Sequence, residues 1–320
     1  EILFSNNRAV GIKYVRNGQA TLVHAEREVL LCGGVINTPQ LLVLSGIGDH
    51  NELSRLGIST RLDLPGVGKN LQDQMSVVLL YQRRDTSPIF HMMRADRIGR
   101  ELIKNYIFGS GFASDVPGGT TAFLRTNDNL ALPNIQILLT AAPLGASPYF
   151  RPFKQPFNDG FVSRVVLLDP ESRGTVQVTS ANPHDRPLIK QNFLSHPRDW
   201  ETLRSGLRIA REVAAQPCMK PFVSNEIAPG PSKTSDQDLN AHIAATAITL
   251  HHPLGTCRMG NEDDPQSVVT QELKVVGSDG LRIVDGSVMP DLVRGNINGP
   301  IIMIAEKASD LIRGKDPLLE

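Results

Sequence analysis

The stretch His251-His252-Pro253-Leu254-Gly255-Thr256-Cys257-Arg258-Met259-Gly260 holds the strongest candidates for proton chemistry in the chain. Histidine titrates near neutral pH, so a pocket histidine beside a rigid Pro/Gly loop can serve as a general base. The same pair also reads as metal ligands or as surface residues. A metal site needs more ligands at helical or hairpin spacing, and nothing nearby supplies them. A second stretch, Leu281-Arg282-Ile283-Val284-Asp285-Gly286-Ser287-Val288-Met289-Pro290, reads as a strand ending in Asp-Gly. It is followed by Gly295-Asn296-Ile297-Asn298-Gly299-Pro300, a polar turn that feeds a helix. That arrangement faces ligands in α/β folds, although Asp285 also reads as no more than a turn cap. A third stretch, Gly33-Gly34-Val35-Ile36-Asn37-Thr38-Pro39, is a strand end, a glycine turn and a helix start. A helix N-terminus favours anions and polar cofactor atoms, but an ordinary strand-turn-helix gives the same pattern.

The elements that must position these residues are legible in part. Residues 9–15 and 20–24 are β-rich and flank Asn17-Gly18, a strong hairpin signal. Residues 28–32 form a third apolar strand. Thr38 is a good N-cap and Pro39 suits a first helical position, which predicts a helix starting there and running through 40–44. A short helix follows at 51–56, then a Pro/Gly loop over 62–70. The blocks 134–141, 161–169 and 174–180 alternate with Pro/Gly-rich stretches, as in an antiparallel sheet. Residues 97–107 read as a helix, and the charge cluster 94–100 as its solvated face. An apolar stripe of Leu203, Leu207, Ile209, Val213 and Ala214 predicts a helix over 196–215. Ser235 caps another helix, and 298–313 is the last. The expected architecture is an α/β domain drawn from both ends of the chain, with an α+β domain inserted between them.

Composition excludes several classes. The chain is 40% hydrophobic and 21% charged, close to soluble globular averages, and 33 basic residues cancel 33 acidic ones. No basic excess points to nucleic acid as a partner. No apolar run reaches the roughly 20 residues a membrane span needs, so no transmembrane segment is expected. Three cysteines without a CxxC give neither a disulfide framework nor a zinc site, and no signal segment is visible, which together point to a cytoplasmic setting. The chain opens Glu1-Ile2-Leu3-Phe4 without methionine, as a processed or truncated chain would.

Taken together, the three stretches resemble the glucose–methanol–choline (GMC) family of FAD-dependent oxidoreductases. Gly34…Thr38-Pro39…Leu41-Leu42…Ser45-Gly46-Ile47-Gly48 is similar to the family's second signature. Pro65-Gly66-Val67-Gly68-Lys69-Asn70-Leu71-Gln72-Asp73 resembles the loop that follows it. His252-Pro253-Leu254-Gly255-Thr256-Cys257 looks like the catalytic histidine segment, and Asp285-Gly286-Ser287 and Asn298-Gly299-Pro300 like the closing flavin-side elements. The resemblance runs from about residue 9 to 313 and is weakest in the middle. It implies an FAD-binding Rossmann-like domain over 1–74 and 250–320, and a substrate-binding domain with an antiparallel sheet over 75–249. It implies oxidation of a primary alcohol to an aldehyde by hydride transfer to flavin N5. His252 would take the alcohol proton and Asn298 would hydrogen-bond the substrate oxygen. Asp285 and Gly286 would contact the ribityl or phosphate side of the flavin. The Asn298, Gly299, Pro300 turn would lie by its ring, and oxygen or another acceptor would reoxidise it.

The chain also departs from that pattern. The family opens with a strand–GxGxxG–helix unit that holds the FAD pyrophosphate, and no GxGxxG occurs here. The expectation is that these residues alone bind FAD poorly, and that an N-terminal partner chain or a missing segment completes the site. Gln74 stands where histidine often follows Asn-Leu-Gln-Asp, with no consequence legible. Choline-specific members carry a glutamate in the region matching Gly119-Thr120-Thr121-Ala122-Phe123, which has no carboxylate here. Only Trp200 is available for a cation–π cage, so a neutral alcohol is expected. Two other readings stay open: a cyanohydrin lyase on the same scaffold, and a catalytically silent fragment or interaction module. Cys257 is expected to pack rather than react.

Overall fold

The computed structural model describes residues 1–114, 119–143 and 145–315. The chain divides into two compact units. One comprises Glu1–Gln74, Pro170–His196 and the chain from His251 onward; the other comprises Met75–Asp169 and Pro197–Leu250.

In the first unit, strands Ile2–Ser5, Arg8–Arg16 and Gln19–His24 form an antiparallel ladder. Asn17 (φ 52°) and Gly18 (φ 78°) make the predicted two-residue turn, with positive φ at both positions. Strand Val29–Leu31 pairs in parallel with Leu281–Ile283, so segments from opposite ends of the chain share one small sheet. Helix Asn298–Arg313 closes the unit within its expected bounds. Leu42, Ile47, Leu53, Cys257, Val268 and Ile283 are among the residues that fill the core.

The first helix differs from its expected form. It spans Gly34–Leu44, so Thr38 and Pro39 lie inside it. One partner five residues on and one remote in sequence explain the earlier start. The Gly33 N–H donates to Thr38 Oγ1 (3.1 Å), and the Gly34 N–H donates to Asp285 Oδ2 (2.9 Å). Pro39 lacks the N–H that would bond the Val35 carbonyl one turn back. The Thr256 hydroxyl donates to that carbonyl instead, at 2.6 Å, so the proline costs the helix no buried acceptor.

The second unit holds a six-stranded antiparallel sheet. Its main path runs Val223–Ala228, Met75–Arg83, Gly160–Leu167, Ile135–Thr140, Thr120–Leu124, and Ile248–Thr249 also pairs with Met75–Arg83. Gly160–Leu167 is almost continuously buried, which suits its apolar residues on either side of Ser163 and Arg164. Helix Pro197–Ala214 packs on this sheet through Leu203, Gly206 and Leu207. Helix Asp236–Thr246 starts with the expected Ser235 cap, a full capping box with Asp238. Helix Ala95–Phe108 buries none of its residues, and its apolar side is as exposed as its charged one.

One expected boundary changes. The block 174–180, predicted to join the inserted domain's sheet, belongs to the first unit. Its strand Thr175–Gln177 pairs with Leu188–Lys190 in a separate two-stranded sheet. The backbone explains the placement: Leu71 and Gly174 exchange both hydrogen bonds (3.0 and 2.7 Å), and the Val176 N–H donates to the Gly68 carbonyl (2.7 Å).

Candidate active site

A short ribbon, Asn70-Leu71-Gln72-Asp73-Gln74, organises the first unit's polar site. Gln72 exchanges both backbone hydrogen bonds with Leu254 (3.1 and 2.9 Å). Its side chain donates to the Pro290 carbonyl (2.9 Å) and accepts from the Leu292 N–H (3.3 Å). Asn70 Nδ2 reaches the Pro290 carbonyl as well (2.9 Å). Gly255 (φ +91°) lies so close that a Cβ there would stand 2.6 Å from the Asn70 carbonyl, which requires glycine. The histidine loop and the segment leading to the last helix are thereby held by one ribbon.

His252 is anchored twice. Its backbone N–H donates to Asp73 Oδ1 (2.9 Å), and its ring Nδ1 lies 2.8 Å from Gln74 Oε1. Gln74 is fully buried, and its amide nitrogen reaches the Val293 and Gly295 carbonyls at 3.2 and 3.4 Å. Nδ1 being engaged, Nε2 is the nitrogen open to a substrate, and no residue among those described hydrogen-bonds it. Burial holds the His252 pKa below the ordinary histidine value; Asp73 opposes this and His251 adds to it. A base must be neutral to accept a proton, and a lowered pKa keeps it neutral to lower pH. Turnover is therefore expected to lose its base limb below the usual histidine range, near 6.5. A kcat/KM profile with its acid limb above that value contradicts the assignment.

Asp285 follows strand Leu281–Ile283 and is buried. Its carboxylate accepts from the Gly34 N–H (2.9 Å), the Thr38 hydroxyl (2.6 Å) and the Ser287 N–H (2.8 Å). The anion expected at the N-terminus of helix Gly34–Leu44 is thus Asp285 itself. Gly286 is buried against Ile301 and Val35, and its carbonyl accepts from the Gly255 N–H (3.2 Å). Cys257 is wholly buried beside it, and burial, with Asp285, pushes its thiol pKa far up. It is a packed, protonated thiol at neutral pH.

Asn298, Gly299 and Pro300 form the first turn of helix Asn298–Arg313, which opens without a side-chain cap. Asn298 and Gly299 are exposed, and nothing lies within 4 Å of a Cβ built at Gly299. Pro300 falls in the first turn, where an N–H would have no helical partner. Leu254, Met289 and Ile297 share one apolar cluster with Val293 and Ile301. The His252 loop and the Asn298 turn therefore stand over common packing and are cross-tied by Gln74, while Asp285 is bound to helix Gly34–Leu44 and Gly286 lies between Val35 and Ile301. An uncapped helix end with open space at Gly299 fits a flat ring that gains negative charge on reduction, to which it would present N–H groups and the positive end of its dipole. Gln72, Asp73 and Gln74 were not among the expected site residues. The signal for Gln72 and Asp73 was membership of the loop that follows the second signature, and for Gln74 its place where histidine often follows Asn-Leu-Gln-Asp. Among the described residues, no group of three or more His, Cys, Asp or Glu is placed to hold a metal.

The comparisons place this fold and these segments in a family. Family models described as GMC oxidoreductase match residues 1–76 and 170–305. The chain belongs to the GMC oxidoreductases, a family of FAD-dependent enzymes. It is 38% identical to an oxygen-dependent choline dehydrogenase of Chromohalobacter salexigens over 99% of its own length and 56% of that protein's. It is 39% identical to the mitochondrial choline dehydrogenase of Homo sapiens, covering 99% of this chain and 53% of that protein. A formate oxidase variant from Aspergillus oryzae superposes with a TM-score of 0.88 at 26% identity, over 98% of this chain and 59% of that one. The chain thus spans little more than half the length of the curated relatives it matches. No helix among the described residues is long and apolar enough to cross a membrane.

Proposed function

We propose that this chain carries the proton-transfer residues and the flavin-ring side of an FAD-dependent enzyme that oxidises a neutral primary alcohol to an aldehyde. The observation that carries the reading is His252 itself: a half-buried imidazole with Nδ1 engaged, Nε2 open and its pKa held down. FAD, when bound, accepts the hydride that leaves the carbinol carbon. His252 Nε2 takes the hydroxyl proton, and the Asn298 side chain holds the oxygen. Helix Asn298–Arg313 would offer its uncapped N-terminus to the flavin ring, with Gly299 and Pro300 in its first turn. Asp285 and Gly286 support the ribityl side, with Asp285 acting chiefly by fixing the start of helix Gly34–Leu44. The unit built from both chain ends is the flavin-binding one. The pyrophosphate-binding remainder comes from residues outside this chain, in the same polypeptide or a partner. Oxygen or another oxidant closes the cycle. A cytoplasmic, reducing setting suits the three free cysteines, two of them exposed.

Two relatives bear the name choline dehydrogenase, which makes choline the first rival substrate. The strand residues Thr120–Leu124 supply no carboxylate, and Trp200, the single tryptophan, belongs to helix Pro197–Ala214. A quaternary ammonium therefore lacks the partner the resemblance assigns it. The test is anaerobic bleaching of flavin absorbance in the full-length holoprotein. Benzyl alcohol and short primary alcohols should reduce the flavin at least about tenfold more efficiently than choline. Preference for choline overturns the substrate class. No bleaching by any alcohol overturns the oxidoreductase reading for this site.

A further inference from the structure

We infer that Gln74 is a positioning residue that locks His252 in the tautomer with the proton on Nδ1, leaving a lone pair on Nε2. Neutral imidazole has one donor and one acceptor nitrogen, and the hydrogen bond made by one decides the role of the other. The short contact here joins Nδ1 to Gln74 Oε1 at 2.8 Å. An amide can be turned over, so its direction needs an independent reason. The backbone supplies one. The other end of the Gln74 amide faces two carbonyl oxygens, of Val293 and Gly295, at 3.2 and 3.4 Å. Carbonyls only accept. Turning the amide would set its oxygen against both of them in a fully buried place, where two unmade hydrogen bonds and a lone-pair clash are costly. The amide nitrogen must therefore face the carbonyls, and Oε1 must face His252. Oε1 can only accept, so Nδ1 carries the hydrogen. The segment 293–295 thus dictates, through one side chain, which nitrogen of a histidine more than 40 residues earlier is basic.

The inference deepens the base assignment and rests on it only for the catalytic consequence; the tautomer follows from the hydrogen bonds alone. It also sets the character of the base. Gln74 does not titrate and carries no charge, so it orients the imidazolium without the stabilisation a carboxylate would add. The charged and titratable groups facing the ring are Asp73, which bonds its backbone N–H, and His251. Neither takes the place of Gln74 at Nδ1. Proton removal from Nδ1 has no relay to follow, and the site is expected to titrate as one group.

The test is nitrogen NMR of the full-length protein labelled with 15N-histidine. His252 is identified among the eight histidines by the signals lost in His252→Asn. Above its titration the wild-type ring should show a protonated Nδ1 and an unprotonated Nε2. Gln74→Leu should release the lock, mix the tautomers and lower kcat by about tenfold or more, with KM changed less. Gln74→Glu, whose carboxyl must stay protonated to donate to the Val293 or Gly295 carbonyl as the amide does, should keep the tautomer and most of kcat; a merely structural glutamine would not couple the tautomer of His252 to the side chain at 74. A wild-type ring protonated on Nε2 overturns the inference, as does a Gln74→Leu ring with the wild-type pattern. If the tautomer is as inferred but His252→Ala turns over normally, the lock stands and the base reading fails.

Discussion

Replacing His252 with alanine lowers kcat of the full-length holoprotein by about 10²–10⁴-fold and leaves FAD bound, the range that general-base assistance supplies. The reason lies in how the ring is held. Its loop is paired through Leu254 to Gln72, its backbone N–H is fixed on Asp73, and its Nδ1 is fixed on Gln74. Nε2 is the ring nitrogen left to act on a substrate, so removing the ring removes the proton acceptor that this arrangement positions. The loop's backbone pairing does not use the imidazole and survives. One buried acceptor, Gln74 Oε1, loses its donor, which costs about 1–3 kcal/mol of stability. Stopped-flow flavin reduction measures the rate, and the visible spectrum reports occupancy. Unchanged reduction means that the proton leaves by another route; lost flavin means that His252 serves binding.

Replacing Asp285 with alanine has the largest expected effect on stability. Three donors converge on this one buried carboxylate: the Gly34 N–H, the Thr38 hydroxyl and the Ser287 N–H. Each donor stranded in a buried place costs about 1–3 kcal/mol, so a loss of about 3 kcal/mol or more is expected. Asp285→Asn is the milder control. Its single oxygen can keep the two donors at Oδ2, and only the Ser287 link is replaced by an amide that cannot accept. The denaturation midpoint should fall for both variants at unchanged slope, further for alanine. A carboxylate has roughly four lone-pair sites, so three protein donors leave room for one ligand contact. If alanine costs less than about 1 kcal/mol, the network is not what holds the turn, and a direct cofactor role for Asp285 becomes the main one.

These results separate what was local from what was not. The Asn17-Gly18 turn needs only two positive φ values, so the hairpin was legible from two residues. The capping box of helix Asp236–Thr246 needs only Ser235 and Asp238. Helix Asn298–Arg313 and the β-rich strand Gly160–Leu167 likewise declare themselves by pattern. The identities of His252, Asp285 and Asn298 as candidates came from short motifs, each complete within a few residues.

What the sequence by itself determined was therefore composition, the periodic elements and the residue types with chemistry. The tertiary structure alone decided who partners whom. Helix Gly34–Leu44 begins before its apparent cap because its acceptor, Asp285, arrives from 251 residues away and Thr256 covers the carbonyl that Pro39 leaves bare. Residues 174–176 join the first unit because Gly68 and Leu71 offer them a backbone ladder. Gln74 was a noted departure without a legible role until Val293 and Gly295 came to one end of its amide and His252 to the other. Propensity and periodicity act over a few residues along the chain. A buried hydrogen bond requires a donor and an acceptor to meet in space, and that meeting exists only once the distant segments have folded together.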